Sequence, residues 1–111
     1  MTTARAFTTR TPAIRTFLIA DIRGYTRFTA RRGDEAASRL ARKFAEVVGE
    51  AVEAWGGHLV ELRGDEALVV FESARQALRC AVELQDALAD ESAAEPALAL
   101  PVGIGLDAGE A

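Results

Sequence analysis

Hydrophobic and polar positions follow two different periods along this chain, and the switches between them mark its elements. Phe17–Ala20 is a short, unbroken apolar run that ends on Asp21. Its length and β-branched centre predict a buried strand over 15–21. Gly24 breaks that run, and Thr26 is placed to cap a short helical turn, because a hydroxyl accepts from a free backbone N–H. Leu40, Phe44, Val47, Val48, Ala51 and Trp55 then recur at helical spacing. They predict a long helix from Asp34 to Trp55, opened at Gly33-Asp34 and ended by Gly56-Gly57, since glycine enters the left-handed region at low cost. "HLVELR" and "EALVVF" follow as two extended runs around Gly64-Asp65, which reads as a β-hairpin. Ser73 with Gln76 forms a capping box that opens a second helix, with Ala77, Leu78, Ala81, Leu84 and Leu88 on its buried side. "ADESAAEP" reads as a polar loop, and "ALALPVGIGLDAGEA" as a final strand that ends in glycines.

The resulting order is strand, helix, strand, strand, helix, strand. This is the α+β, ferredoxin-like βαββαβ arrangement, an antiparallel sheet with two helices on one face. At 111 residues the chain holds one domain, and half of its residues are hydrophobic, enough for a modest core. Residues 1–14 form a polar lead-in whose Pro12 precedes the first strand; the folded region is 15–111.

Charge narrows the partners. A net charge of −4 argues against a nucleic-acid surface, which needs a basic face. Arginines do crowd the first half, at 5, 10, 15, 23, 27, 31 and 32, but acids follow closely and the pattern reads as a mixed solvated face. Cys80 sits among Ala77, Leu78, Ala81 and Val82 and reads as a small core residue. A single cysteine forms no disulfide within the chain, which fits a reducing compartment. No run approaches the length of a membrane span, and "MTTARAFTTRTP" lacks an apolar signal core, so a cytoplasmic location is expected.

The candidate chemistry lies in two acids. Asp21 ends the first strand and Asp65 lies in the turn between the next two, so this topology can bring both to one edge of the sheet. Two carboxylates held close repel, and a divalent cation bound to both offsets that; oxygen donors suit Mg²⁺ or Mn²⁺. Singly, each has an ordinary reading, as a turn former after a strand or as a hairpin tip. His58 reads as a surface strand residue and Trp55 as the last core anchor of its helix. Gly103, Gly105 and Gly109 lack the strand-to-helix setting of a dinucleotide fingerprint.

The blocks "FLIADIRGYTRFT", "GDEAASRL", "GGHLVELRGDEALVVF" and "GIGLDAGEA" stand in the order found in class III nucleotidyl cyclases, the adenylyl and guanylyl cyclase family, which residues 15–111 resemble. The resemblance implies a two-metal site for Mg²⁺ or Mn²⁺, with Asp21 and Asp65 as catalytic metal ligands and the Ile22 carbonyl as a further ligand. Gly24, Tyr25 and Thr26 would offer backbone N–H groups to a triphosphate, a use that helix N-termini favour. The implied reaction closes ATP or GTP to a 3′,5′-cyclic nucleotide and releases pyrophosphate. Glu61 and Gly64 belong by resemblance to the substrate site. Glu61 stands where adenylyl cyclases carry the lysine of Lys-Thr-x-Gly-Asp. A carboxylate there suits guanine, which presents two adjacent donors; equally, Glu61 reads as a solvent-facing strand residue. Asp107 and Ala108 depart from the family's usual residues and read as structural.

In the family, a later segment supplies a second base-reading residue, an asparagine for the ribose and an arginine for transition-state charge. The sequence contains no asparagine. The resemblance therefore implies the metal half of a site, in a homodimer or beside a complementing cyclase half. The rival readings are a non-catalytic cyclase-homology module that binds metal nucleotide or a partner domain, and a diguanylate cyclase. The second needs a Gly-Gly-Asp-Glu-Phe motif that "RGDEALVVF" does not match.

Overall fold

The computed structural model describes residues 13–110, so the lead-in up to Pro12 and Ala111 lie outside the described residues. The elements run β1 (Ile14–Ile22), α1 (Tyr25–Arg32), α2 (Asp34–Ala54), β2 (His58–Arg63), β3 (Glu66–Phe71), α3 (Ala74–Ala94), a 3-10 turn (Pro96–Leu98) and β4 (Val102–Glu110). The four strands form one antiparallel sheet in the order β2-β3-β1-β4. That is the ferredoxin-like topology expected from the sequence, with α1 added as a short third helix.

Side-chain alternation on the strands explains the layers. On β1, Leu18, Ala20 and Ile22 are buried, and on β3 Ala67, Val69 and Phe71 are buried. Residues at this period share one face, and both helices cover it. Helix α2 supplies Leu40, Phe44, Val47, Val48, Ala51 and Val52; α3 supplies Ala77, Cys80, Ala81, Leu84 and Leu88. Burial of each large apolar side chain here contributes about 1.5–3 kcal/mol. Burial also pushes the Cys80 thiol up to about 11, with Glu83 adding to the effect, so this cysteine is a packing residue and a poor nucleophile.

Helix α2 ends as glycine chemistry dictates. Trp55 is its C-cap, Gly56 takes φ 72°, and the Gly57 N–H donates to the Val52 carbonyl at 3.0 Å. This six-to-one bond is the Schellman closure. Trp55 is only half-buried; its indole N–H donates to Glu83 at 2.9 Å, so it is a rim anchor.

Four local expectations are corrected. Thr26 does not cap α1: Gly24 is the N-cap and no side chain caps it. "ADESAA" is not a loop but the last part of α3, because alanine and glutamate sustain a helix and only Pro96 stops it. Leu78 is on the solvent side of α3, 57% exposed. "ALAL" is not strand: it forms the 3-10 turn and an extended link, and β4 begins at Val102. One irregularity interrupts the hairpin: Leu59 faces Val69, Glu61 faces Leu68, and Val60 between them is bulged out.

Candidate active site

The C-terminal end of β1 is the centre of the site, and backbone hydrogen bonds fix it from both sides. The Ile22 N–H donates to the Asp65 carbonyl at 2.8 Å, and the Arg23 N–H donates to the Pro101 carbonyl at 2.6 Å. The first bond ties the end of β1 to the β2–β3 turn, so the backbones bearing Asp21 and Asp65 meet at one rim. No return bond from the Asp65 N–H to the Ile22 carbonyl is formed among the described residues. That carbonyl, beside Asp21 and Asp65, is left with acceptor capacity that a hard cation suits.

Asp21 stands in register with Glu66 on β3 and Gly103 on β4. Two carboxylates directly opposite each other destabilise a strand pair. Cations offset this charge. Arg63 is in register with Glu66, and the Arg23 Nε lies 3.5 Å from Asp21 Oδ1. A side chain at position 103 would collide with the Arg23 guanidinium, so the glycine makes room for that cation beside Asp21. In the sequence Asp65 stands out but Glu66 does not, and Gly103 shows only as a glycine outside a dinucleotide fingerprint. Glu66 was within reach, because the residue after a hairpin turn starts the strand that faces the end of β1. Gly103 was not, since nothing in the sequence sets the β4 register.

Gly24 takes φ 71°, ψ 23°, the left-handed region that favours glycine, and turns the chain from β1 into α1. The first intrahelical bond runs from the Phe28 N–H to the Gly24 carbonyl at 2.9 Å. The N–H groups of Tyr25, Thr26 and Arg27 precede it and have no intrahelical acceptor. Such a terminus attracts anions. Tyr25 links this turn to the rest of the rim: its hydroxyl donates to the Ala37 carbonyl at 3.1 Å and lies 3.7 Å from where a side chain on Gly64 would start. The Gly24-Tyr25-Thr26 turn and the Gly64-Asp65 turn are therefore neighbours.

Glu61 lies on the sheet face away from the helices. With Ile19, Glu66 and Leu68 it lines a shallow hollow of about 120 Å³. The Arg63 Nε donates to Glu61 at 2.9 Å, and that carboxylate raises the Arg63 guanidinium above its ordinary value. His58 is exposed on β2 and joins no metal cluster; no group of three or more His, Cys, Asp or Glu assembles among the described residues. A metal at this rim would rest on Asp21, Asp65 and the Ile22 carbonyl, an all-oxygen set.

Comparison with known proteins fits this geometry. No family model matches the chain. The serine/threonine-protein kinase pkn2 of Myxococcus xanthus is 33% identical over 96 residues, 86% of this chain and 12% of that protein. An adenylate cyclase of Streptomyces coelicolor is 37% identical over 86 residues, 77% of this chain and 22% of that protein. The chain thus spans less than a quarter of the length of these relatives. Among solved structures, the guanylyl cyclase Cya2 superposes with a TM-score of 0.79 at 27% identity, over 90% of this chain and 56% of that one. Sequence and fold together define a nucleotide-cyclising class of domain. The chain belongs to the class III nucleotidyl cyclases, the adenylyl and guanylyl cyclase family.

Proposed function

We propose that this chain carries the metal- and triphosphate-binding half of a nucleotidyl cyclase site, which acts on ATP or GTP. The observation that carries the reading is the 2.8 Å bond from the Ile22 N–H to the Asp65 carbonyl, which joins the two acid-bearing segments. Asp21, Asp65 and the Ile22 carbonyl would hold divalent cations. Two such ions, when bound, lower the pKa of an attacking ribose 3′-hydroxyl and neutralise departing pyrophosphate. The free N–H groups of α1 orient the phosphate chain, and Gly24 lets backbone approach it closely. Positioning and charge carry the rate in such phosphoryl chemistry, so a rigid strand end is the right place for the ligands.

Glu61 bears on the base. Its carboxylate stands on the open sheet face, beside the apolar Ile19 and Leu68, where an acceptor pair would favour guanine. The chain would work as a dimer or with a complementing cyclase half, and in the cytoplasm; no described helix is long and apolar enough to cross a membrane.

Thermal unfolding with Mn²⁺ and a nucleoside triphosphate tests the reading. A rise in the midpoint that Asp21→Ala and Asp65→Ala each abolish is expected. An unshifted wild-type midpoint refutes the site. Mixed with a complementing half, the chain is expected to yield cyclic AMP or cyclic GMP, and either substitution lowers the rate about a hundredfold or more.

A further inference from the structure

We propose that the groove between α1 and the segment 96–101 is a docking site for an acidic peptide segment of a partner protein that bears an apolar anchor residue. The groove has a volume of about 330 Å³. Its floor and far wall are apolar, with Ile22, Phe28, Leu40 and Pro101 among them, and its rim holds four arginines: Arg23, Arg27, Arg31 and Arg32. No carboxylate lines it.

This concentration of charge is not what the composition dictates. The chain has 17 acids against 13 basic residues, so acids are available to neutralise every cation. Some cations elsewhere are paired, Arg39 and Lys43 with Glu95 and Arg63 with Glu61. In the groove, Arg32 donates to the Ala97 carbonyl at 2.9 Å and lies over the Phe28 ring, which makes it part of the wall. Arg23 reaches Asp21. Arg27 and Arg31 make no ion pair or side-chain hydrogen bond among the described residues, and both are exposed. They stand four residues apart on α1, a like-charge spacing that destabilises a helix by about 0.2–0.5 kcal/mol. An anionic partner reverses the sign of that term.

The shape selects the kind of anion. Arg27 and Arg31 are separated by about 6 Å along the helix axis, so the two form a short row along α1. A single phosphate engages one end of such a row. A peptide with carboxylates at successive positions engages all of it, and its apolar side chain fills the floor that a hydrophilic anion leaves bare. The groove shares Ile22, Arg23 and Gly24 with the rim of the cyclase site, but the docking needs neither Asp65 nor a metal, so the two readings fail separately.

Fluorescence anisotropy with a short labelled peptide, glutamate-rich with one central phenylalanine, tests the proposal in metal-free buffer. Saturable binding is expected. Arg27→Glu and Arg31→Glu should each weaken it about tenfold or more, the effect of reversing one charge of a desolvated pair. Arg27→Lys should retain most of the affinity, Asp65→Asn all of it, and replacing the peptide's phenylalanine by serine should weaken it. Circular dichroism verifies that each variant is folded; both arginines are exposed, so folding is expected to persist. Absence of saturable binding overturns the proposal, as do glutamate variants that bind like wild type. Displacement of the peptide by tripolyphosphate, or by a single-stranded oligonucleotide at lower concentration, also overturns it by identifying a different occupant.

Discussion

Asp21 shows how much one position can carry. It is the last open-face residue of β1, it opposes Glu66, and Arg23 stands beside it because residue 103 is glycine. A strand end gives such a carboxylate a fixed direction, which a loop does not. Gly57 is constrained from the other side of the molecule. A side chain there would start 2.7 Å from the Phe71 ring and 2.9 Å from Val69, both core residues. Gly57→Ala is therefore expected to destabilise the fold by about 1–3 kcal/mol through overpacking, read as a lower midpoint in urea unfolding. Phe71→Leu in the same chain should recover part of the loss. The two acids at 21 and 65 were legible because an acid after an apolar run, and an acid in a tight turn, are visible without coordinates. The contacts of Gly57 and Gly103 were not, because they depend on which side chains a distant strand or loop lays across them.

Helices α2 and α3 illustrate what periodicity does and does not reveal. Of the stripe Leu40, Phe44, Val47, Val48, Ala51 and Trp55 all but Trp55 are buried, since a 21-residue helix offers enough turns for the period to show, and Trp55 at its end is only half-buried. The same logic fails at Leu78, which falls beside the apolar stripe of α3 but points to solvent. It fails again at "ADESAA", whose polar composition conceals helix formers. The end of α3 is held electrostatically. Lys43 on α2 donates to Glu95 at 2.8 Å and lies 3.5 Å from Glu91, and Arg39 also reaches Glu95. The Lys43 ammonium holds Glu95 below the usual carboxylate range, and Glu95 in turn holds Lys43 above its ordinary value. A depressed carboxylate stabilises above its unfolded pKa, and the benefit is lost as pH falls through the folded value. A raised lysine stabilises below its unfolded pKa, and that benefit is lost as pH rises through the folded one. The network is thus complete across neutral pH and fails first in acid. Glu95→Gln is expected to lower the melting temperature at pH 7 and to flatten its fall between neutral pH and pH 3, as followed by calorimetry.

Across the molecule, the sheet divides labour between its faces. One face is the core; the other, with Ile19, Glu61, Glu66 and Leu68, stays open beside the candidate site. The sequence did not make that division legible for β1 and β3, whose apolar runs Phe17–Ala20 and Ala67–Phe71 are unbroken; buried and exposed residues alternate there only in the fold. Nor did it for β2. A strict alternation over "HLVELR" sets Leu59, Glu61 and Arg63 on one side and His58, Val60 and Leu62 on the other. In the folded sheet Leu59 packs toward the core while Glu61 and Arg63 face Leu68 and Glu66.

Val60 is what reconciles these. As an extra residue it resets the frame of everything after it, so that Leu59 stays inside while Glu61 moves to the open side. Its own side chain is 51% exposed and earns little from packing. The consequence is that β2 tolerates a shortening that would invert an ordinary strand. A chain lacking Val60 is expected to fold with an uninterrupted ladder and an unchanged or higher melting temperature, and to keep the Glu61–Arg63 pair where it was. Deleting Leu62 instead, with no slack to absorb it, is expected to abolish cooperative unfolding. If both deletions unfold the protein alike, the spare residue is not spare.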